Sequence, residues 1–249
     1  MIKELPVIKL IIKYTLILIG IEATVGIIEG IFDFADYSIF SLGLDFLRSI
    51  VIILLIREAN QIIYNENIFD KFNNKLGLLK TSILSISIVI LCLIAIYFTK
   101  PIADQIPTPE LFKEIWNEIL KKPDTNLEII IAFISIAIIA PLVEEIVFRG
   151  FIYKTLRTKY NISFSIFISF VLFYLFHLDP QMLIMLSIVS IALCLSYEYS
   201  QSLTLPVLIH SGINISSLLL SWYGTSYQRP ATAGKLNADR QVKLGFLVF

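Results

Sequence analysis

Residues 127–149 read LEIIIAFISIAIIAPLVEEIVFR. From Leu127 to Phe148 the stretch is apolar apart from Glu128, Ser135 and the pair Glu144–Glu145. A helix that crosses the hydrocarbon core needs about 20 such residues, so the segment predicts a membrane helix. Its last turns carry Glu144, Glu145 and Arg149. Ionisable groups at that depth are costly and need a reason to be there. The fold follows from this: an all-α bundle in the membrane with a polar interior.

The rest of the chain agrees. It is 57% hydrophobic and 16% charged, with a mean hydropathy of +0.81. Soluble domains average roughly 45–50% apolar and 25% charged. The net charge is +0, which gives no basic balance for nucleic acid. Cys92 and Cys194 both fall in apolar runs and read as small buried hydrophobes rather than a zinc or disulfide framework.

Apolar runs predict about seven spans: Leu10–Phe32, Ile39–Ile56, Leu78–Phe98, Leu127–Phe148, Ile162–Phe176, Met182–Tyr197 and Leu203–Trp222. The first run continues past Ile31 without a small-residue cleavage pattern, which predicts a retained span. Residues 1–228 read as a single integral-membrane domain. Between the third and fourth spans, Thr108 and Pro109 precede Phe112, Ile115, Trp116, Ile119 and Leu120, spaced as one apolar stripe. That predicts an interfacial helix anchored by Trp116. The stretch at 229–249 is small and polar, unlike the Ile-rich body, and reads as a disordered or appended tail.

Basic residues gather in alternate loops: Lys3, Lys9 and Lys13; Arg57, Lys71 and Lys75; Arg149, Lys154, Arg157 and Lys159. The positive-inside rule then puts the N-terminus and the Arg149 end of the fourth span on the cytoplasmic side. The Ile, Lys and Asn richness hints at an AT-rich bacterial genome, hence a bacterial cell membrane. The oligomeric state is left open.

The polar residues inside the spans carry the chemistry. Glu145 and Arg149 are four apart with the acid first, the better order for a helical ion pair. Glu144 points about 100° away and is left to face the interior. A carboxyl poised there to take and release a proton suits a general base. Only two histidines occur. His177 lies four residues after Phe173 and shares its face. His210 and Asn214 are likewise four apart, and two neutral donors side by side suit a developing oxyanion. Gly212 between them allows another helix to approach closely. Pro141 frees a backbone carbonyl in the fourth span. Each piece alone also fits ordinary helix packing, and Glu22, Glu29, Asp45 and Arg48 show that charge in these spans is not confined to the motifs. Glu22 and Glu29 share a face and predict an interhelical pair with Arg48.

The ordered set Glu144-Glu145-x-x-x-Arg149, Phe173-x-x-x-His177 and His210-x-x-x-Asn214, with Pro206 before the last, resembles the CAAX protease and bacteriocin-processing (CPBP, or Abi) family. That family includes the type II CAAX prenyl endopeptidases. The resemblance covers roughly Ile130 to Leu220. It implies an intramembrane endopeptidase in which Glu144, assisted by His177, activates water while His210 and Asn214 stabilise the oxyanion. Glu145, Arg149 and Phe173 support them. It implies no metal, although Glu144, His177 and His210 would be the ligands of a zinc, the alternative attached to the family's metalloprotease label. The implied partners are a peptide or membrane-protein substrate and the bilayer. A self-immunity or peptide-maturation role within the same family is an alternative. So is a non-catalytic scaffold or transporter, though the paired broken repeats of transporters are not visible.

Overall fold

The computed structural model describes residues 7–32, 39–110, 122–177 and 179–223. The expected interfacial helix over Phe112, Ile115, Trp116, Ile119 and Leu120, and the tail at 229–249, lie outside them. Among the described residues the chain forms helices and no strands. Seven long helices follow one another: α1 (Val7–Phe32), α2 (Ile39–Tyr64), α3 (Leu78–Ala103), α4 (Asn126–Arg157), α5 (Ile162–His177), α6 (Leu183–Ser200) and α7 (Thr204–Tyr223). Among the described residues, five helical stretches are long and apolar enough to cross a membrane: 9–28, 78–103, 126–157, 180–200 and 204–223. The count of seven spans is therefore not established in full. The α5 helix has only 16 residues. The α2 helix has the length but carries Asp45, Arg48, Arg57 and Glu58.

Local chemistry sets the helix ends. Thr125 and Glu128 form a capping box that starts α4, each side chain accepting from the other residue's backbone N–H. Asn161 caps α5 by accepting from Phe164 N at 2.9 Å. The α2 helix runs eight residues past its expected end at Ile56, because Arg57–Tyr64 continues in helix-compatible residues. It stops where Asn65 turns left-handed at φ 54°.

The α4 helix is the centre of the bundle. From Ile146 to Tyr153 every residue is buried, against α2, α5 and α6. It is also not a plain α-helix. Ser135–Ile139 and Ile146–Tyr153 widen to π geometry. Across the first, the Ala140 N–H reaches back five residues to the Ser135 carbonyl. The next donor in that register would be residue 141, and Pro141 has no N–H. The proline thus sits where the wide turn opens, one turn before the acid pair. Around this centre, Leu16, Ile27, Ile90, Leu91 and Phe98 point outward and exposed. A lipid-facing surface consists of such residues.

At the end of the bundle where α4 stops, the segment after α2 is tied down. Glu66 meets Lys154 at 2.7 Å and Lys71 at 3.1 Å. The Lys154 hydrogen bond, with Lys71 adding to it, holds the Glu66 carboxyl below its ordinary range. The Lys71 carbonyl accepts from Leu203 N at 2.7 Å, and the Phe72 carbonyl from Thr204 Oγ1 at 2.9 Å.

Gly212 meets the expectation of a close helix approach. A methyl placed on it would lie 2.9 Å from Val89 Cγ2 of α3. Gly212→Ala should therefore cost about 1–3 kcal/mol through overpacking. Shaving the neighbour in Gly212→Ala/Val89→Ala should return part of it. Unfolding titrations of the purified protein in detergent check both, and an unchanged midpoint for the single variant would show that α3 yields freely.

Candidate active site

The site assembles from one face each of α4, α5, α6 and α7. Arg149 is wholly buried, and its Nη1 donates to Glu145 Oε1 at 2.8 Å. Its Nη2 donates to Ser190 Oγ of α6 at 3.2 Å. The guanidinium also lies over the Phe173 ring, 4.9 Å from its centroid. A cation between a carboxylate, a hydroxyl and an aromatic face is held in one orientation.

Glu145 is shared. The same Oε1 that takes the Arg149 hydrogen bond lies 2.9 Å from His210 Nδ1. Because the partner is a carboxylate oxygen, Nδ1 is the donor. That fixes the ring and turns Nε2 toward Glu144, whose Oε2 is 3.5 Å away. Arg149 is thus connected to Glu144 through Glu145 and His210. Both acids are buried, Glu144 at 2% exposed and Glu145 at 0%.

His177 is set by the same reasoning. Its Nδ1 lies 2.9 Å from the Phe173 carbonyl oxygen, an acceptor, so Nδ1 carries the proton and Nε2 the lone pair. Both histidines lie against one ring: the Phe173 centroid is 4.7 Å from that of His177 and 5.9 Å from that of His210. Phe148 stacks edge-on against Phe173 from α4 at 4.9 Å. Phe173 is the hub that brings Arg149 and both imidazoles together.

Asn214 does something that spacing did not reveal. Its Nδ2 donates to the Ile136 carbonyl at 2.9 Å. Ile136 is the residue whose π-register partner would be Pro141, the missing donor. The α7 amide therefore supplies the hydrogen bond that the proline removes and ties α7 to the break in α4. Ser190 was also not singled out by the sequence, since one serine in an apolar helix carries no motif. The pair foreseen between Glu22 and Arg48 forms at 3.2 Å, and Asp45 joins it at 2.8 Å. The Glu29 side chain lies outside the description.

Among the described residues, no three His, Cys, Asp or Glu side chains are grouped so as to hold one ion. The arrangement has the components of a proton-handling site instead: two fixed imidazoles, one paired acid and one acid facing an imidazole.

Residues 126–216 match the family model described as type II CAAX prenyl endopeptidase Rce1-like. The match covers less than half of the chain, and it supports a likeness to the CAAX-protease family. It contains Glu144, Glu145, Arg149, Phe173, His177, His210 and Asn214, so the resemblance carried by those motifs is confirmed at the level of the family. No curated protein and no solved structure gives a significant match. The α1, α2 and α3 helices lie upstream of the CAAX-protease segment.

The Asn214 bond is testable within this segment. Asn214→Ala should cost about 1 kcal/mol or more by orphaning a partly buried carbonyl. In a Pro141→Ala background, where the backbone regains a donor, the cost should shrink. A double-mutant cycle on unfolding measures the coupling. Equal costs in both backgrounds would separate Asn214 from the proline break.

Proposed function

We propose that the protein is an intramembrane endopeptidase of CAAX-protease type, acting on a peptide or a membrane-protein end. The observation that carries this reading is the buried chain Arg149–Glu145–His210–Glu144. A cation, an acid and an imidazole in series have no packing purpose that a Leu would not serve better. They do orient a second acid. The family match supports the endopeptidase class and leaves the roles of the residues to this reading.

In the reaction, Glu144 takes a proton from water as the water oxygen bonds to the scissile carbonyl carbon. His177, with its lone pair on Nε2, orients that water. The carbonyl oxygen becomes an oxyanion. We assign to it the second N–H of the Asn214 amide and the Nε2–H of a doubly protonated His210, whose Nδ1–H stays on Glu145. The carbon–nitrogen bond then breaks, and Glu144 returns its proton to the leaving amine. Glu145 and Arg149 hold His210 and do not touch the substrate. Protein groups and water account for every proton, and the orientation that places the Arg149 end at the cytoplasm belongs to the same proposal.

The test compares peptides released by membranes carrying wild type and Glu144→Ala. Loss of a positioned base costs about 10²–10⁴-fold, so the variant's product should vanish against background while its size-exclusion profile stays that of the wild type. Undiminished cleavage by Glu144→Ala would sink the assignment. For the metal question, cleavage should survive strong chelation, and elemental analysis of the active protein should show no stoichiometric zinc. Stoichiometric zinc that is lost together with activity would replace this mechanism.

A further inference from the structure

A second set of polar residues leads away from the site toward the end of the bundle where α4 stops. Three helices contribute, each at four-residue spacing. The α4 helix presents Arg149, Tyr153 and Arg157. The α5 helix presents Ser165 and Ser169, on the same face as Phe173 and His177. The α6 helix presents Ser190, Cys194 and Glu198. Since α5 and α6 run antiparallel and pack on each other and on α4, the three sets face one seam. The recorded contacts follow it. Arg149 bonds to Ser190. Cys194 lies beside both Arg149 and Ser169. Tyr153 donates to Glu198 at 2.9 Å, and Arg157 pairs with Glu198 at the partly exposed end.

The middle of the seam is wholly buried yet short of hydrogen bonds. Ser165, Ser169, Arg149 and Ser190 are all 0% exposed. Apart from the Cys194 thiol, which reaches Arg149 and Ser169, Ser165 Oγ, Ser169 Oγ and Arg149 Nε find no hydrogen-bond partner among the described residues, nor does Glu145 Oε2. The Cys194 thiol beside two of them is only a weak partner. Helix serines ordinarily satisfy themselves on the carbonyl four residues back, as Ser200 does on Ser196 at 2.7 Å. Ser165 and Ser169 do not. Buried polar atoms without a protein partner are the positions that ordered water occupies, at two to four hydrogen bonds each. From Ser165 to the level of Phe173 the rise is about 12 Å, the reach of a short file of waters.

We propose that this seam holds a chain of ordered waters that connects the Arg157–Glu198 surface to the Glu144 site and feeds it. Ser165 and Ser169 are its walls, and the Tyr153–Glu198 hydrogen bond stands at its mouth. The role as supply line rests on the hydrolytic reading of the site, whereas the presence of the waters does not.

Radiolytic hydroxyl-radical footprinting of the protein in lipid nanodiscs tests it without any turnover. Radicals arise from water next to the label, and the two cysteines form an internal pair. Cys194 lies in the seam, while Cys92 lines an apolar groove between α3 and α6. Cys194, although 0% exposed, should be oxidised several-fold faster than Cys92 at 4% exposed. Ser169→Val, which removes a hydroxyl and fills its space, should bring Cys194 down to the rate of Cys92. Equal rates in the wild type mean a dry seam and overturn the proposal, as does a Ser169→Val protein that folds and labels like the wild type. If Ser169→Val fails to fold, the wild-type comparison decides alone. A wet seam with a Glu144→Ala variant that still cleaves would sink the protease mechanism and keep the water chain. The reverse pair of results would do the opposite.

Discussion

Everything in the interior is arranged around one ion pair with no access to solvent, Arg149 with Glu145. Burying two charges costs several kcal/mol each unless all their hydrogen-bonding capacity is engaged. The surroundings supply partners from three other helices: Ser190 from α6, the Phe173 face from α5 and the His210 ring from α7. The pair therefore works as a fixed post. Removing any helix from around it would leave a bare charge in an apolar medium, so the charge dictates the packing as much as the packing shelters the charge.

Rigidity of this kind also explains the division of labour between the two neighbouring acids. Glu145 is held through one oxygen by both a cation and an imidazole, which fixes its place. Glu144, one residue earlier and turned to another face, meets the far nitrogen of that imidazole. Adjacent carboxylates thus acquire opposite characters from helical geometry alone, one structural and one available for proton transfer.

The sequence made the helices legible because hydrophobic run length is a direct consequence of bilayer thickness. It made the i, i+4 relations Glu145–Arg149 and Phe173–His177 legible as well, and one pair between helices, Glu22–Arg48 of α1 and α2. What it could not show were the relations between the helices of the site, since spacing along one helix says nothing about which face meets which. His210 was grouped with Asn214 by spacing, yet in space its ring lies against Glu144 and Glu145. The bond of Asn214 to Ile136 depends on a π turn, a change in backbone register with no residue signature beyond Pro141. The length of α2 was underestimated because polar helix formers beyond Ile56 look like a loop when only apolarity is scored.

The segment leaving α2 grips the first residues of α7 by two backbone carbonyls, those of Lys71 and Phe72. His210 sits less than two turns above that grip. The vertical position of an imidazole in the family-matched segment is thereby indexed to a strap from the upstream part of the chain. The upstream helices then act as a gauge block for the catalytic layer, and exchanging them for a different membrane anchor would alter the setting of the site even though no residue of the site had changed.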